Sequence, residues 1–154
     1  MPYPEICSSI KEVSFDEMWH FVEQKNKLWV WRAVERGGNR TIGWCVGDRS
    51  TETFKKFYRK FEHLDAMFYT DDWSSYSKAI PATRLTIGKQ YTVGIEHNNS
   101  NIRHFLGRFT RRTKVVSKSP RMVLATFKIC WYINGNSGFD EYLKYFCLSL
   151  VILS

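Results

Sequence analysis

The sequence lacks the paired cysteines with which small zinc-binding domains hold their metal. Its four cysteines, Cys7, Cys45, Cys130 and Cys147, form no Cys-x-x-Cys motif, and its four histidines stand in no metal-ligand spacing with them. Structural zinc sites take their ligands from close pairs, so this pattern excludes a zinc finger or ribbon. The thiols are expected to be reduced.

Long apolar runs are also missing. The longest run, CLSLVILS at the extreme C-terminus, is less than half of a membrane span. The N-terminus, MPYPEICSSIKEV, has neither the basic nor the apolar region of a signal peptide. The sequence therefore predicts a cytoplasmic protein that makes no contact with a membrane.

Positive charge, by contrast, is present in excess. The chain has 154 residues, a formal net charge of +8 and 44% hydrophobic residues, with a sequence pI of about 9.4. This length suits one domain with a buried core, and the hydrophobic content excludes a disordered chain. A cationic excess of this size favours an acidic partner, most commonly nucleic acid.

The order of strand and helix patterns predicts an α/β protein. Three strand patterns fill residues 12–48, the first two joined by a turn at Gln24–Lys27. A helix pattern, the short strand AMFYT and a second helix stopped by Pro81 follow. The strand TRLTIG and a helix starting near Val93 complete a β-β-β-α-β-α-β-α order. This is the order of the RNase H-like fold, a mixed five-stranded sheet flanked by helices.

Three carboxylates stand out by their positions in this order. Asp16 lies in the middle of the first strand among aromatic residues, Asp71 and Asp72 lie at the C-terminal end of the fourth, and Glu96 lies near the start of a helix. Ligands bind at that end of the strands in open α/β sheets, and the first and fourth strands are neighbours in this fold. Converging carboxylates repel each other unless a cation neutralises them. A Mg²⁺ pair held by such oxygens supports phosphodiester displacement.

Each carboxylate also has a simpler structural interpretation. An aspartate within a strand is commonly a hydrogen-bonded structural residue. Asp71 and Asp72 are placed to cap the helix that follows them, and a glutamate such as Glu96 is commonly a solvated helix residue. The residues alone leave these alternatives open, and they do not decide between Asp71 and Asp72.

Four stretches closely resemble transposases of the insertion sequence one family. They are VSFDEMWHFVE, RTIGWCVGDRS, FYTDDWSSY and YTVGIEHNNSNIRHFLGRFTRRTKVVSKS, which together cover about residues 12–134. The family's D-E-x-W motif is matched at Asp16, its T-D-x-W motif at Thr70–Trp73 and its I-E-x-x-N motif at Ile95–Asn99. All three stand in the family's order.

The resemblance implies which carboxylates act. It makes Asp16, Asp71 and Glu96 the catalytic and metal-binding residues, and so favours Asp71 over Asp72. Asp71 and Glu96 are separated by 24 residues, 72–95, and this spacing is the one found in the family.

The resemblance also implies the reaction and the partners. Transposases of this DDE type cut the ends of their element with a metal-activated water, and the freed 3′-hydroxyl then attacks target DNA. The implied cofactor is Mg²⁺, with Mn²⁺ as a substitute and two ions at the site. The implied partner is double-stranded DNA, both element ends and target. A homo-oligomer on DNA, associated with the nucleoid of a prokaryotic cell, is expected.

Cations gather after Glu96 without an intervening acid. The expected DNA-binding residues are Arg103, Arg108, Arg111, Arg112, Lys114, Lys118 and Arg121. A charge run is as readily an ordinary solvated face, but next to a catalytic glutamate it is expected to hold DNA phosphates. Four tryptophans are instead expected to fill the core: Trp29, Trp31, Trp44 and Trp131.

The chain departs from the family pattern at both ends. Family enzymes carry an upstream zinc-finger and helix-turn-helix region, often joined by translational frameshifting, that recognises element ends. This chain resembles the second reading frame, which is expected to act with the upstream frame as a fusion or partner, and its activity is expected to depend on that region. We divide it into an N-terminal lead (1–11), an RNase H-like catalytic domain (12–134) and an atypical C-terminal tail (135–154).

Two alternatives to a transposase stay open. One is a structure-selective nuclease of the RNase H-like class, which keeps the fold and changes the reaction. The other is an inactive DNA-binding or regulatory fragment of a decayed element.

Overall fold

The computed structural model describes residues 6–23, 26–105, 109 and 117–135, with the backbone alone for residues 105 and 130–135. The strands are β1 (Glu12–Val22), β2 (Asn26–Glu35), β3 (Arg40–Gly47), β4 (Met67–Thr70) and β5 (Leu85–Ile87). The α-helices are α1 (Thr51–Tyr58), α2 (Ser74–Ser77), α3 (Lys89–Phe105) and α4 (Pro120–Gly135), and a 3-10 turn at Ala82–Arg84 precedes β5. No helix in these ranges is long and apolar enough to cross a membrane.

The five strands form one mixed sheet in the order β3-β2-β1-β4-β5. The pairs β1–β2 and β2–β3 are antiparallel, whereas β1–β4 and β4–β5 are parallel. Short turns suffice for the antiparallel pairs, while each parallel pair needs a crossover that contains a helix. The predicted element order is confirmed, and β1 and β4 are neighbours as expected.

One face of the sheet buries an aromatic cluster centred on Phe15 of β1. Five rings lie with their centroids 5.3 to 6.3 Å from the Phe15 ring: Phe54, Phe57, Tyr58, Phe61 and Phe68. Gly43 lets this packing approach β3, because a Cβ there would lie 2.6 Å from Cζ of Phe61. The cluster holds β1 firmly at the residue before Asp16.

The opposite face has its own core. Met18 and Val22 of β1 pack there with Val30, Trp44, Phe109, Val123 and Phe127. Helix α3 lies over β1 and buries Ile95, which is 1% exposed. Because alternate residues of a strand point to opposite faces, β1 is covered on both sides.

The starts of two elements differ from those predicted, and one helix was not predicted. Helix α3 begins at Lys89 instead of near Val93, directly after β5, with a turn closed by the hydrogen bond from Tyr91 N to Gly88 O. Strand β2 begins at Asn26, inside the predicted turn. Helix α4 was not predicted, although a proline at its first position and apolar residues at Val123 and Phe127 are helix signals.

Candidate active site

Asp16 and Asp71 stand side by side at adjoining strands. β1 and β4 run parallel, with Ser14 opposite Tyr69, and β4 ends at Thr70. Continued by two residues, this register places Asp16 beside Asp71. Asp71 is close enough to raise the pKa of Asp16 by charge repulsion. The two residues therefore lie near each other at neighbouring strands, as the element order implies, and their shared role in a site stays a prediction.

Asp16 has a strongly perturbed pKa. Burial, followed by repulsion from Glu17 and Asp71, raises the pKa of its carboxyl from the ordinary 3.8 to about 7. Hydrogen bonds from the backbone N–H of Glu17 and from Asn99 act in the opposite direction without offsetting the rise. The negative charge at this position is therefore poorly compensated, and a bound cation would compensate it.

Asp71 belongs to the turn between β4 and α2. Its Oδ1 accepts a hydrogen bond from the backbone N–H of Trp73 at 3.1 Å. Trp73 itself occupies the N-cap position of α2, and no side chain caps that helix. The expectation that Asp71 or Asp72 caps α2 is thus wrong, since Asp71 closes a turn before the helix and Asp72 is exposed.

Glu96 is an exposed residue of α3, although Thr92 and Asn99, one turn before and after it, are buried. Its Oε1 accepts a hydrogen bond from Oγ1 of Thr92 at 2.9 Å, one turn earlier in the same helix. Among the described residues, no group of three or more His, Cys, Asp or Glu side chains could hold a metal ion. The described residues therefore do not bring Asp16, Asp71 and Glu96 together as one metal-binding group, and the triad stays a prediction.

Asn99, one turn after Glu96, links α3 to Asp16. Its Nδ2 donates a hydrogen bond to Oδ2 of Asp16 at 2.6 Å, and its Oδ1 accepts one from Nη1 of Arg32. Arg32 is 1% exposed and is the cross-strand partner of Asp16 on β2. Asn99 was recognised in the sequence as part of a motif, whereas Arg32 was not predicted. An arginine inside the apolar strand LWVWRAV was the available signal.

Glu17 is a second acid that the sequence analysis missed. Its side chain is 3% exposed and accepts hydrogen bonds from Oη of Tyr76 at 2.6 Å and from Nε and Nη2 of Arg49 at 2.9 and 2.5 Å. Burial raises the pKa of Glu17, with a smaller rise from Asp71, although Tyr76 and Arg49 lower it. Unlike Asp16, this carboxylate already has a cationic partner.

The predicted DNA-binding residues are only partly described. Arg103 is half-buried on α3, and Lys118 and Arg121 are exposed beside and within the first turn of α4. The remaining four lie outside the described residues: Arg108, Arg111, Arg112 and Lys114.

The predicted core tryptophans divide in the same way. Trp31 and Trp44 are buried as expected. Trp29 is only half-buried, with the Arg49 guanidinium 4.7 Å from its ring, so its assignment to the core is wrong. The side chain of Trp131 lies outside the described residues.

Comparison with known proteins gives a consistent family match. The family model described as IS1 transposase matches residues 7–137. The insertion element iso-IS1n protein InsB of Shigella dysenteriae is 31% identical over 117 residues, which are 73% of this chain and 89% of that protein. The insertion element IS1 2 protein InsB of Escherichia coli strain K12 is 29% identical over 106 residues, 68% of this chain and 64% of that protein.

Solved structures match in fold. A chain of the simian T-cell lymphotropic virus intasome in complex with PP2A regulatory subunit B56 gamma has a TM-score of 0.60 at 14% identity, covering 88% of this chain and 53% of that chain. The catalytic domain of Mos1 mariner transposase has a TM-score of 0.55 at 10% identity, covering 82% and 72%. The predicted RNase H-like fold is confirmed.

Proposed function

The chain belongs to the IS1 transposase family, and on that premise we propose that it carries out the phosphoryl-transfer steps of DNA transposition with Asp16, Asp71 and Glu96. The observation that carries this proposal is that Asp71, which directly follows β4, lies close enough to Asp16 on the neighbouring parallel strand β1 to raise its pKa. Element-end cleavage and strand transfer are the two proposed steps. Both displace an oxygen at a phosphodiester.

The side chains present suit a hard divalent cation. Mg²⁺ prefers carboxylate oxygens, and Asp16 carries a charge that its surroundings disfavour. Glu17 is already paired with Arg49, so we do not assign it to the metal site. Asp16 and Asp71 would hold the metal, with Glu96 joining them from α3, and Mn²⁺ would substitute for Mg²⁺. When bound, a pair of ions supplies activation of the attacking oxygen and stabilisation of the leaving oxygen.

The protein's own residues have separate tasks in this proposal. The Phe15 cluster and the β1–β4 pairing fix Asp16 and Asp71 in place. Helix α3 carries Glu96, which is exposed and within reach of bound DNA. The cations that follow, of which Lys118 and Arg121 are described and exposed, would bind phosphates without reading the base sequence.

Partners follow from the family as further parts of the proposal. The chain spans 64% of the length of the E. coli relative it matches. An upstream reading frame with a zinc-finger and helix-turn-helix region would supply recognition of element ends, as a fusion or a partner. We further propose a homo-oligomer assembled on DNA, in the nucleoid of the cytoplasm.

A strand-transfer assay tests the proposal. The chain, together with the upstream frame, is incubated with labelled element-end DNA and a target plasmid in Mg²⁺ or Mn²⁺. The wild type is expected to cleave the ends and join them to the target, Asp71→Asn to do neither, and Asp72→Asn to match the wild type. Cleavage without joining would identify a nuclease instead, and DNA binding without cleavage an inactive fragment.

A further inference from the structure

A hydrogen-bonded chain runs from a buried arginine to the candidate metal site. We propose that Asn99, held in one orientation by Arg32, is a positioning residue that fixes the carboxylate of Asp16 for cation binding. This inference rests on the proposed metal site at Asp16. It adds two residues that do not touch the cation.

The orientation of the Asn99 amide follows from the chemistry of its two neighbours. The Arg32 guanidinium has only donors, so it must face the amide oxygen, and an ionised Asp16 has only acceptors, so it must face the amide nitrogen. The observed contacts have this arrangement, with Nη1 of Arg32 on Oδ1 and Nδ2 on Oδ2 of Asp16. Each neighbour by itself favours the same orientation of the amide, because the amide has one accepting end and one donating end. Together they permit one orientation.

Arg32 is itself firmly held. It is 1% exposed, and besides Asn99 it donates through Nη2 to Oδ1 of Asn98 at 2.6 Å and to Oγ1 of Thr41. These three acceptors are neutral and come from α3 and β3, so the guanidinium ties both elements to the middle of β2. Burying a guanidinium is costly compared with burying an apolar side chain of similar size. Fixing Asn99 is a function that an apolar residue could not perform.

The consequence is that Asp16 is oriented before a cation arrives. A carboxylate that is free to rotate loses that freedom on binding, and partners that hydrogen-bond to a ligand residue remove the loss in advance. Removing such a partner typically weakens metal affinity about 10-fold to 100-fold. Asn99 also lies one turn from Glu96, so the same hydrogen bond fixes the position of α3 relative to Asp16.

The chain offers a matched pair of variants. Asn99→Ala and Asn98→Ala each remove one acceptor from Arg32, but only Asn99 contacts Asp16. Mn²⁺ affinity is measured by calorimetry for the wild type, both variants and Asp16→Asn, with melting temperatures recorded in parallel. We expect Asn99→Ala to weaken Mn²⁺ binding about tenfold or more, Asn98→Ala to stay within about twofold, and Asp16→Asn to bind least.

A measurement on the wild type avoids dependence on how well Asn99→Ala folds. The side-chain amide resonances of Asn99 and Asn98 are followed by NMR as Mg²⁺ is added. The Asn99 amide is expected to shift along the same saturation curve as the calorimetric binding, whereas the Asn98 amide should move little.

The outcomes separate this inference from the proposed function. If Asp16→Asn loses binding, three results would each overturn the positioning role alone. These are equal Mn²⁺ affinity in the wild type and Asn99→Ala, equal weakening by Asn98→Ala and Asn99→Ala, or an Asn99 amide resonance that does not shift at saturating Mg²⁺. A wild type that binds no Mn²⁺, or an Asp16→Asn variant that binds it fully, would overturn the proposed metal site as well.

Discussion

Asp16→Asn should stabilise the metal-free protein, and the gain should depend on pH. The folded state raises the pKa of Asp16 from 3.8 to about 7, so folding favours the neutral carboxyl. Below pH 3.8 the carboxyl is protonated in both the folded and the unfolded state, so Asp16 does not lower the free energy of unfolding. As pH rises towards 7 the unfolded state ionises first, which lowers the free energy of unfolding, and above pH 7 the penalty is complete. At about 1.4 kcal/mol for each pH unit between the two values, it reaches about 4 kcal/mol.

The variant removes this penalty and introduces a smaller one. An asparagine at position 16 still offers an oxygen to Asn99, but its own amide N–H groups are partly desolvated, at a cost of about 1–3 kcal/mol. We therefore expect a net gain of about 1–3 kcal/mol at pH 8. At pH 4 the gain should vanish or become a loss.

Urea unfolding of both proteins at pH 4, 6 and 8, without divalent metal, measures the difference directly. Asp72→Asn, at an exposed neighbouring carboxylate, is the matched control and should change stability by less than about 0.5 kcal/mol at each pH. A difference between wild type and Asp16→Asn that does not vary between pH 4 and pH 8 would refute the reasoning, because the carboxylate would then titrate normally in the folded protein.

Three other properties are predicted. Glu96→Gln should abolish strand transfer while leaving the melting temperature unchanged, because the side chain is exposed; a large drop in melting temperature would indicate a structural role. Changing Arg111 and Arg112 together to Ala should make the slope of log DNA affinity against log salt concentration shallower by nearly two units if both neutralise phosphates. Each neutralised phosphate contributes about 0.9 to that slope on duplex DNA. Fluorescence anisotropy across a salt series would show an unchanged slope if they form an ordinary solvated face. Iodoacetamide at pH 8 should modify Cys7, where the Ser9 hydrogen bond lowers the thiol pKa, far faster than Cys45, where burial raises it to about 12; equal rates by peptide mapping would contradict this.

The sheet was predictable because its signals are local. The alternation in EVSFDEMWHFV, LWVWRAVE and RTIGWCVG marks three strands whose turns are short, and these fix the antiparallel half of the sheet. The neighbouring positions of Asp16 and Asp71 then follow from the element order.

The surroundings of the candidate site could not be predicted in the same way. The contact between Arg32 and Asn99 joins residues 67 positions apart, and it depends on where α3 lies across the sheet. The pairing of Glu17 with Arg49 depends on the turn after β3, since alternation shows only that Glu17 and Asp16 face opposite sides. Glu96 is exposed although Thr92 and Asn99 beside it are buried, and helical periodicity gives no distance from Glu96 to Asp16.

Diffraction from crystals grown or soaked with Mn²⁺ tests the central claim most directly, because anomalous scattering locates the ion without assumptions about activity. An anomalous peak for a Mn²⁺ ion is expected within coordination distance of the carboxylate oxygens of Asp16 and Asp71. Two such peaks, about 3.5–4 Å apart, are expected when DNA and Glu96 complete the site. Peaks absent from Asp16 and Asp71 in crystals whose Mn²⁺ concentration saturates binding in solution would contradict it.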